Sequence, residues 1–201
     1  MVANHIHDAL RQVNEMRTLA LDRARFRGYS GIARMVGACA ALLGACVLSR
    51  PAYPAAPSAH LAGWAAVLAT ALTVNYGGLL VWFWRDPSAA RDGWQLLPAL
   101  DAVPALAAGA LLSAALVLHG QYDLLFGTWM GMYGLAHAPY RRSLPPANLA
   151  VGIFYGLAGA LCLFHPSVSF THPWPMGVVF GAGELAGGMA LRTGWGREMD
   201  R

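Results

Sequence analysis

Long apolar stretches separated by short polar connections dominate this chain of 201 residues. The clearest example is a pair of apolar segments, Leu96–Leu118 and Leu124–Ala138, joined by the five residues 119–123. A helix needs about 20 apolar residues to cross a hydrocarbon core of about 30 Å. The pattern therefore predicts a transmembrane hairpin with a short outer turn.

The same pattern recurs before and after this region, so the fold class predicted is an all-α membrane protein with three consecutive hairpins. The six transmembrane helices are expected at Ile32–Ser49, Leu61–Trp84, Leu96–Leu118, Leu124–Pro139, Ala147–Phe164 and Trp174–Leu191. The chain is 57% hydrophobic and 12% charged, which argues against a soluble domain. Glycines four residues apart, as in Gly127/Gly131 and Gly152/Gly156, favour close helix packing.

In residues 4–28, apolar residues recur three or four positions apart with arginines between them. This spacing predicts a cationic amphipathic helix on the membrane surface. The domain organisation expected is a cytoplasmic leader over 1–30, a membrane domain over 31–192 and a cytoplasmic tail over 193–201. Arginine placement sets the orientation, because all but Arg50 of the 14 basic residues fall on one side of the predicted spans. The positive-inside rule then predicts that both termini are cytoplasmic, with the chain in the inner membrane. The net charge of +4 is accounted for in this way, without direct nucleic-acid binding.

Four polar residues are expected to form a layer inside the bundle, near its cytoplasmic side. They are Asn75, Asp101, His137 and Glu184. An acid at such depth needs a partner or a cavity, and no arginine is expected in the middle of a span, since Arg34 is counted with the flanking arginines. The prediction is that Asp101 or Glu184 is protonated and hydrogen-bonded within this layer, as a ligand or proton site or as a structural polar cluster.

A second set of polar residues falls on or near the extracytoplasmic loops, and it consists of His60, His119, His165 and His172. Three convergent imidazoles would bind zinc or copper, and an axial pair would hold haem. Their spacing matches no tight metal motif, so solvated or interfacial histidines are the competing interpretation.

No nucleotide-binding, hydrolase or other catalytic motif occurs, so no catalytic residue is assigned. The leading hypothesis is a non-enzymatic sensor or regulatory module that binds a small ligand, proton or metal and signals to a cytoplasmic regulator. The alternatives are a small proton-coupled or cation transporter or channel, and a structural subunit of a larger membrane complex. Besides the lipid bilayer, the partners considered are a cytoplasmic regulator, other membrane subunits and a second copy of the chain.

The runs at 107–116 and 125–134, with Phe180-Gly181 and Gly187-Gly188, resemble a family of uncharacterised bacterial six-span membrane proteins of about this length. The resemblance covers most of the chain. Members of that family are often encoded beside a small winged-helix regulator, so the resemblance implies such a regulator as the partner. The entry to the first span departs from the family, with Gly28-Tyr29-Ser30-Gly31 in place of a Gly-Trp-Gly sequence. The resemblance implies no catalytic residues.

Overall fold

The structure, a computed structural model, describes residues 11–13, 28–86 and 93–199, and in these ranges all regular secondary structure is helical. From residue 28 onward the described α-helices are α1 (Gly31–Leu48), α2 (Pro57–Arg85), α3 (Val103–Leu118), α4 (Leu125–Ala136), α5 (Ala147–Phe164) and α6 (Trp174–Met199), and residues 11–13 are also helical. Short 3₁₀ segments lie at Gly93–Leu100, Tyr122–Leu124 and Pro139–Arg142. Most of the predicted leader helix lies outside the described residues.

In the part of the chain that the structure describes, four segments are long and apolar enough to cross a membrane: α1, α2, Leu96–Leu118 and α5. Helix α4 has 12 residues, so it is about 18 Å long and shorter than a hydrocarbon core. Helix α6 is long enough, but it is not among the four, and it continues to Met199 through residues predicted as a tail. The described chain is therefore an all-helical protein with four candidate membrane spans.

The start of α1 is fixed by its cap. Ser30 is extended, and its hydroxyl accepts a hydrogen bond from the Ala33 amide at 3.3 Å, as is usual at a helix N-terminus. The helix begins at Gly31, which places Arg34 within its first turn, facing the bundle.

The turn between α3 and α4 is as short as the sequence predicts. Gly120 has a φ of +69°, and the amides of Gly120 and Gln121 donate to the carbonyls of Val117 and Leu116. This is the Schellman arrangement, in which glycine takes the left-handed position that ends a helix. Asp123 then accepts a hydrogen bond of 2.7 Å from the Phe170 amide, which ties this turn to the loop before α6.

The order of packing differs from the order of the chain. The most extensive helix contact joins α1 to α6, and the next joins α4 to α5. With the lesser contacts α1 to α2, α3 to α4 and α5 to α6, the helices pack in the order α2, α1, α6, α5, α4, α3. Helix α1 therefore lies against α6. The two most extensive contacts each join helices that the sequence assigns to different hairpins.

Glycine brings α4 and α5 into backbone contact. A Cβ added at Gly134 would lie 2.7 Å from the Gly152 carbonyl oxygen, and one at Gly159 would lie 2.7 Å from the Gly131 amide nitrogen. Neither backbone can retreat without opening the helix pair. The four-residue glycine spacing thus serves packing within one chain here, as small-residue stripes do in membrane bundles.

This contact predicts that Gly159→Ala destabilises the protein by about 1–3 kcal/mol, the usual cost of overpacking a rigid contact. Thermal unfolding of the purified protein in detergent measures the effect. Gly156→Ala is the matched control on the same helix, because an added Cβ there meets nothing within 4 Å. Equal melting temperatures for the two variants would contradict the proposed backbone contact.

Candidate functional site

The candidate site is a buried polar cluster where α1, α4, α5 and α6 meet. Its centre is an ion pair between Arg34 on α1 and Glu184 on α6, whose exposed fractions are 7% and 6%. The polar cluster comprises Arg34, Tyr133, His137, Asn148, Tyr155 and Glu184.

The ion pair has the two-pronged geometry that suits a guanidinium and a carboxylate. Arg34 Nε donates to Glu184 Oε2 at 3.0 Å, and Nη2 donates to Oε1 at 2.8 Å. Two parallel charge-assisted bonds of this kind fix the direction as well as the distance between the partners. They also offset an unfavourable interaction with the helix dipole. A positive side chain in the first turn of α1 is repelled by the positive end of the dipole, and a carboxylate beside it compensates for this.

The remaining donors of Arg34 reach the two other helices. Nη1 donates to Asn148 Oδ1 at 2.9 Å, and Nη2 lies 3.2 Å from His137 Nε2. A guanidinium has no acceptor, so His137 Nε2 must accept this hydrogen bond. The proton of the imidazole is then on Nδ1, which donates to the Tyr133 carbonyl at 2.8 Å. The geometry therefore specifies a neutral His137 with one tautomer.

Two tyrosines complete the shell of the carboxylate. Tyr133 and Tyr155 donate to Glu184 Oε1 at 2.9 and 3.1 Å. Their rings pack edge to face, with centroids 4.9 Å apart, and Tyr155 also packs on Phe180 at 4.9 Å. Oε1 thus accepts three hydrogen bonds, and the rings of both tyrosines also pack on Phe180.

Three glycines make the room that these side chains occupy. An added Cβ at Gly187 would lie within 2.5 Å of Arg34 Nη1 and Nη2, and one at Gly183 would overlap the Tyr155 hydroxyl. One at Gly152 would lie 2.6 Å from His137 Cβ. The cluster is built as much by absent side chains on α5 and α6 as by the polar ones.

A hydrogen bond between Tyr29 and Tyr140, 2.9 Å long, lies beside the cluster at the same end of the bundle. Burial raises the pKa of both hydroxyls, so both keep their protons at neutral pH. The rise at Tyr140 is increased by the negative charge of the nearby Asp101.

Of the four residues expected in the inner layer, the structure brings together His137 and Glu184. Asn75 instead donates to the Ala71 carbonyl on its own helix at 2.9 Å. Asp101 is exposed in the turn between the 3₁₀ segment and α3. The prolines at 98 and 104 explain this position, because they break the helix that the apolar run predicts and move Asp101 outside it.

The expectation that no arginine neutralises an intramembrane acid is wrong. Arg34 was counted as a flanking residue, whereas it lies inside α1 and faces Glu184. Glu184 is therefore paired as an ion, and a protonated, uncharged Glu184 is not what this geometry supports. The sequence analysis also missed Tyr133, Asn148 and Tyr155. The sequence does carry one signal for them. Gly183 and Gly187 lie close to Glu184 on α6, and two glycines beside a buried acid indicate that large side chains from other helices pack there.

The outer histidines do not converge. His119 and His165 are exposed and contact the Ala115 carbonyl and Ser167, His172 is exposed, and His60 is buried on α2. Among the residues that the structure describes, no three His, Cys, Asp or Glu side chains are placed to hold a metal ion. The zinc, copper or haem hypothesis at these residues gains no support from their positions.

We predict that Glu184→Gln lowers the free energy of unfolding by about 3–5 kcal/mol, because it leaves the Arg34 charge buried without its partner. Chemical or thermal unfolding in detergent measures this loss. The control is Asp101→Asn, which changes an exposed acid and is expected to have little effect. A double variant, Arg34→Met with Glu184→Met, should recover part of the loss. Equal effects of the two acid variants would refute the central role of the ion pair.

Gly187→Ala should displace the Arg34 guanidinium and loosen the contact of α1 with α6. The expected loss is again about 1–3 kcal/mol, from overpacking, with additional loss if the ion pair opens. Gly77→Ala on α2 is the control, since an added Cβ there meets nothing within 4 Å. A Gly187→Ala protein as stable as the control would mean that the guanidinium is not held against this glycine.

Comparison of the chain with known protein families, curated proteins and solved structures yields no match. The resemblance to six-span bacterial membrane proteins therefore stays a prediction, together with the winged-helix partner it implies. The function has to be inferred from the arrangement of the residues themselves.

Proposed function

We propose that this chain is a six-span protein of the bacterial inner membrane that works as a non-enzymatic regulatory module. In this proposal the polar cluster is a latch between α1 and α6, the helices that follow the leader and precede the C-terminal tail. The observation that carries it is the ion pair of Arg34 with Glu184, which joins the two helices at 2.8 Å. A cytoplasmic regulator is the partner expected to read the state of the two terminal segments.

The location of the latch supports this function. Arg34 is in the first turn of α1, His137 caps the end of α4, and Asn148 is in the first turn of α5. All three lie at the same end of the bundle, from which the chain leads back to the leader. The positive-inside rule supports a cytoplasmic location for this end. A change in the latch is thus well placed to alter what the cytoplasm meets.

The chemistry of the cluster favours a switch with two states over a graded one. Separating the pair leaves two charges in a medium of low polarity, and the cost rises with their distance until other groups or water reach them. The paired arrangement and one in which each charge has another partner are therefore separated by a barrier. The neutral His137 is a second element, because it must surrender the Arg34 contact if it gains a proton on Nε2. These properties fit a device that holds one arrangement until a signal supplies a better partner for one charge.

Transport past the inner acids gains less support. The Glu184 carboxylate is already engaged by Arg34 and two tyrosines, and Asp101 is exposed in the turn before α3. A coupling acid has to exchange its proton or cation with a pathway, and a carboxylate held in this way is poorly suited to that exchange.

The test is the distance between α1 and α6 at the latch end. Ile32→Cys and Thr193→Cys, both at exposed positions, carry spin labels after Cys39, Cys46 and Cys162 are replaced by alanine. We expect a narrow distance distribution by pulsed electron paramagnetic resonance with Glu184 present. With Glu184→Gln the distribution should broaden or lengthen by about 5 Å, one helical turn.

The matched control is Asp101→Asn in the same labelled background, which should leave the distribution unchanged. An unchanged distribution with Glu184→Gln in a folded protein would end the latch proposal. Proton or cation flux into proteoliposomes, abolished by Glu184→Gln, would replace it with a transporter.

A further inference from the structure

Two buried polar atoms near the start of α2 have no hydrogen-bond partner among the described residues. They are His60 Nε2 and Trp64 Nε1, in side chains that are 2% and 4% exposed. Buried polar atoms in native proteins are nearly always satisfied by protein, water or a ligand, so two unpartnered atoms at one place call for a physical explanation.

The two atoms are complementary. His60 Nδ1 lies 3.4 Å from the Ala56 carbonyl, which can only accept, so the imidazole proton belongs on Nδ1 and leaves Nε2 as an acceptor. The indole Nε1 of Trp64 can only donate. Residues four apart lie on the same face of a helix, with Cβ atoms about 6 Å apart. One face of α2 therefore carries both a buried acceptor and a buried donor.

Aromatic rings pack against both side chains. The Tyr53 ring packs edge to face on His60 at 5.2 Å, and Phe126 packs edge to face on Trp64 at 5.8 Å. Phe170 packs on Phe126 at 5.0 Å. Such walls suit a neutral group and offer no compensation for an anion.

We propose that His60 and Trp64 form a buried site for a hydroxyl group. The hydroxyl donates its proton to His60 Nε2 and accepts from Trp64 Nε1–H, which satisfies both atoms at once. It belongs either to an internal water or to a small lipid-soluble alcohol or phenol that reaches the site from the membrane. The site is independent of the polar cluster, since it rests on α2 and its aromatic neighbours.

The experiment uses the full-length protein in detergent with ¹⁵N-labelled tryptophan. The indole signal of Trp64, one of seven tryptophans, is identified by its loss in Trp64→Phe. Phenol is titrated as the probe, and anisole is the matched control because its methyl ether accepts a hydrogen bond but cannot donate one. We expect phenol to shift the Trp64 signal saturably and to bind at least tenfold more tightly than anisole. His60→Phe should remove this preference.

A second measurement separates the two sources of the hydroxyl. Without saturable phenol binding, a cross-peak from Trp64 Nε1–H to a long-lived water that is lost in His60→Phe supports the site as a water site. Phenol binding with the stated preference supports it as a ligand site. Equal binding of phenol and anisole, or neither phenol binding nor a bound water, overturns the proposal. If His60→Phe does not fold, the wild-type titration and the wild-type cross-peak to water decide between these outcomes.

Discussion

A buried charge without a partner of opposite charge is strongly unfavourable in a medium of low polarity, and the arrangement of this bundle follows from that constraint. Arg34 and Glu184 are separated by 150 residues in sequence, yet each is almost fully buried and each supplies the partner that the other requires. Removing both charges from water costs several kcal/mol per ion, which only close, multiply hydrogen-bonded geometry offsets. The first and last long helices must therefore meet, and meet in one register.

That register is feasible only because glycines leave room between the helices for the bulky polar side chains. Gly187 leaves the space for the guanidinium, and Gly183 leaves it for the Tyr155 ring. On the neighbouring interface, Gly134 and Gly159 let α4 and α5 approach until their backbones touch. In lipid, helices gain little from burying apolar surface against one another, so close backbone contact and polar bonds have to provide specificity. Here backbone contact joins α4 to α5, which are consecutive in the chain, and the polar bonds join α1 to α6, which are far apart in it.

The sequence predicts those features that depend on local pattern. The apolar runs predict an all-helical membrane protein, and the tight turn at Gly120 follows from its five-residue connection. Glu184 and His137 were found because polar residues in apolar runs stand out. Arg34 was missed because a charge two residues inside an uncertain helix boundary has the same pattern as a flanking charge. Its partner Glu184 is 150 residues away, and a pairing over that separation produces no periodic pattern in the local sequence.

Asp101 shows the opposite error, and its cause is equally physical. Apolar composition continues through residues 96–118, so a hydropathy pattern treats the stretch as one span and places the acid within it. Proline lacks the amide proton that helix continuation needs, and the chain answers with a 3₁₀ segment, a turn and a new helix start at Val103. Apolar composition predicts which residues are compatible with lipid. Backbone hydrogen bonding determines which of those residues form one continuous helix.

Helix α1 connects the two regions that carry polar chemistry. At its start, Arg34 enters the ion pair, and near its end Ala45 and Leu48 pack in the apolar cluster that contains Trp64 and Phe126. The helix has 18 residues and no proline, so it behaves as a rod of about 27 Å. A rigid rod cannot tilt at one end without moving at the other. A tilt of α1 that altered the packing around Trp64 would also move Arg34, so α1 is the element that the two regions share. Coupling between them further requires that α1 have two arrangements whose equilibrium both regions bias.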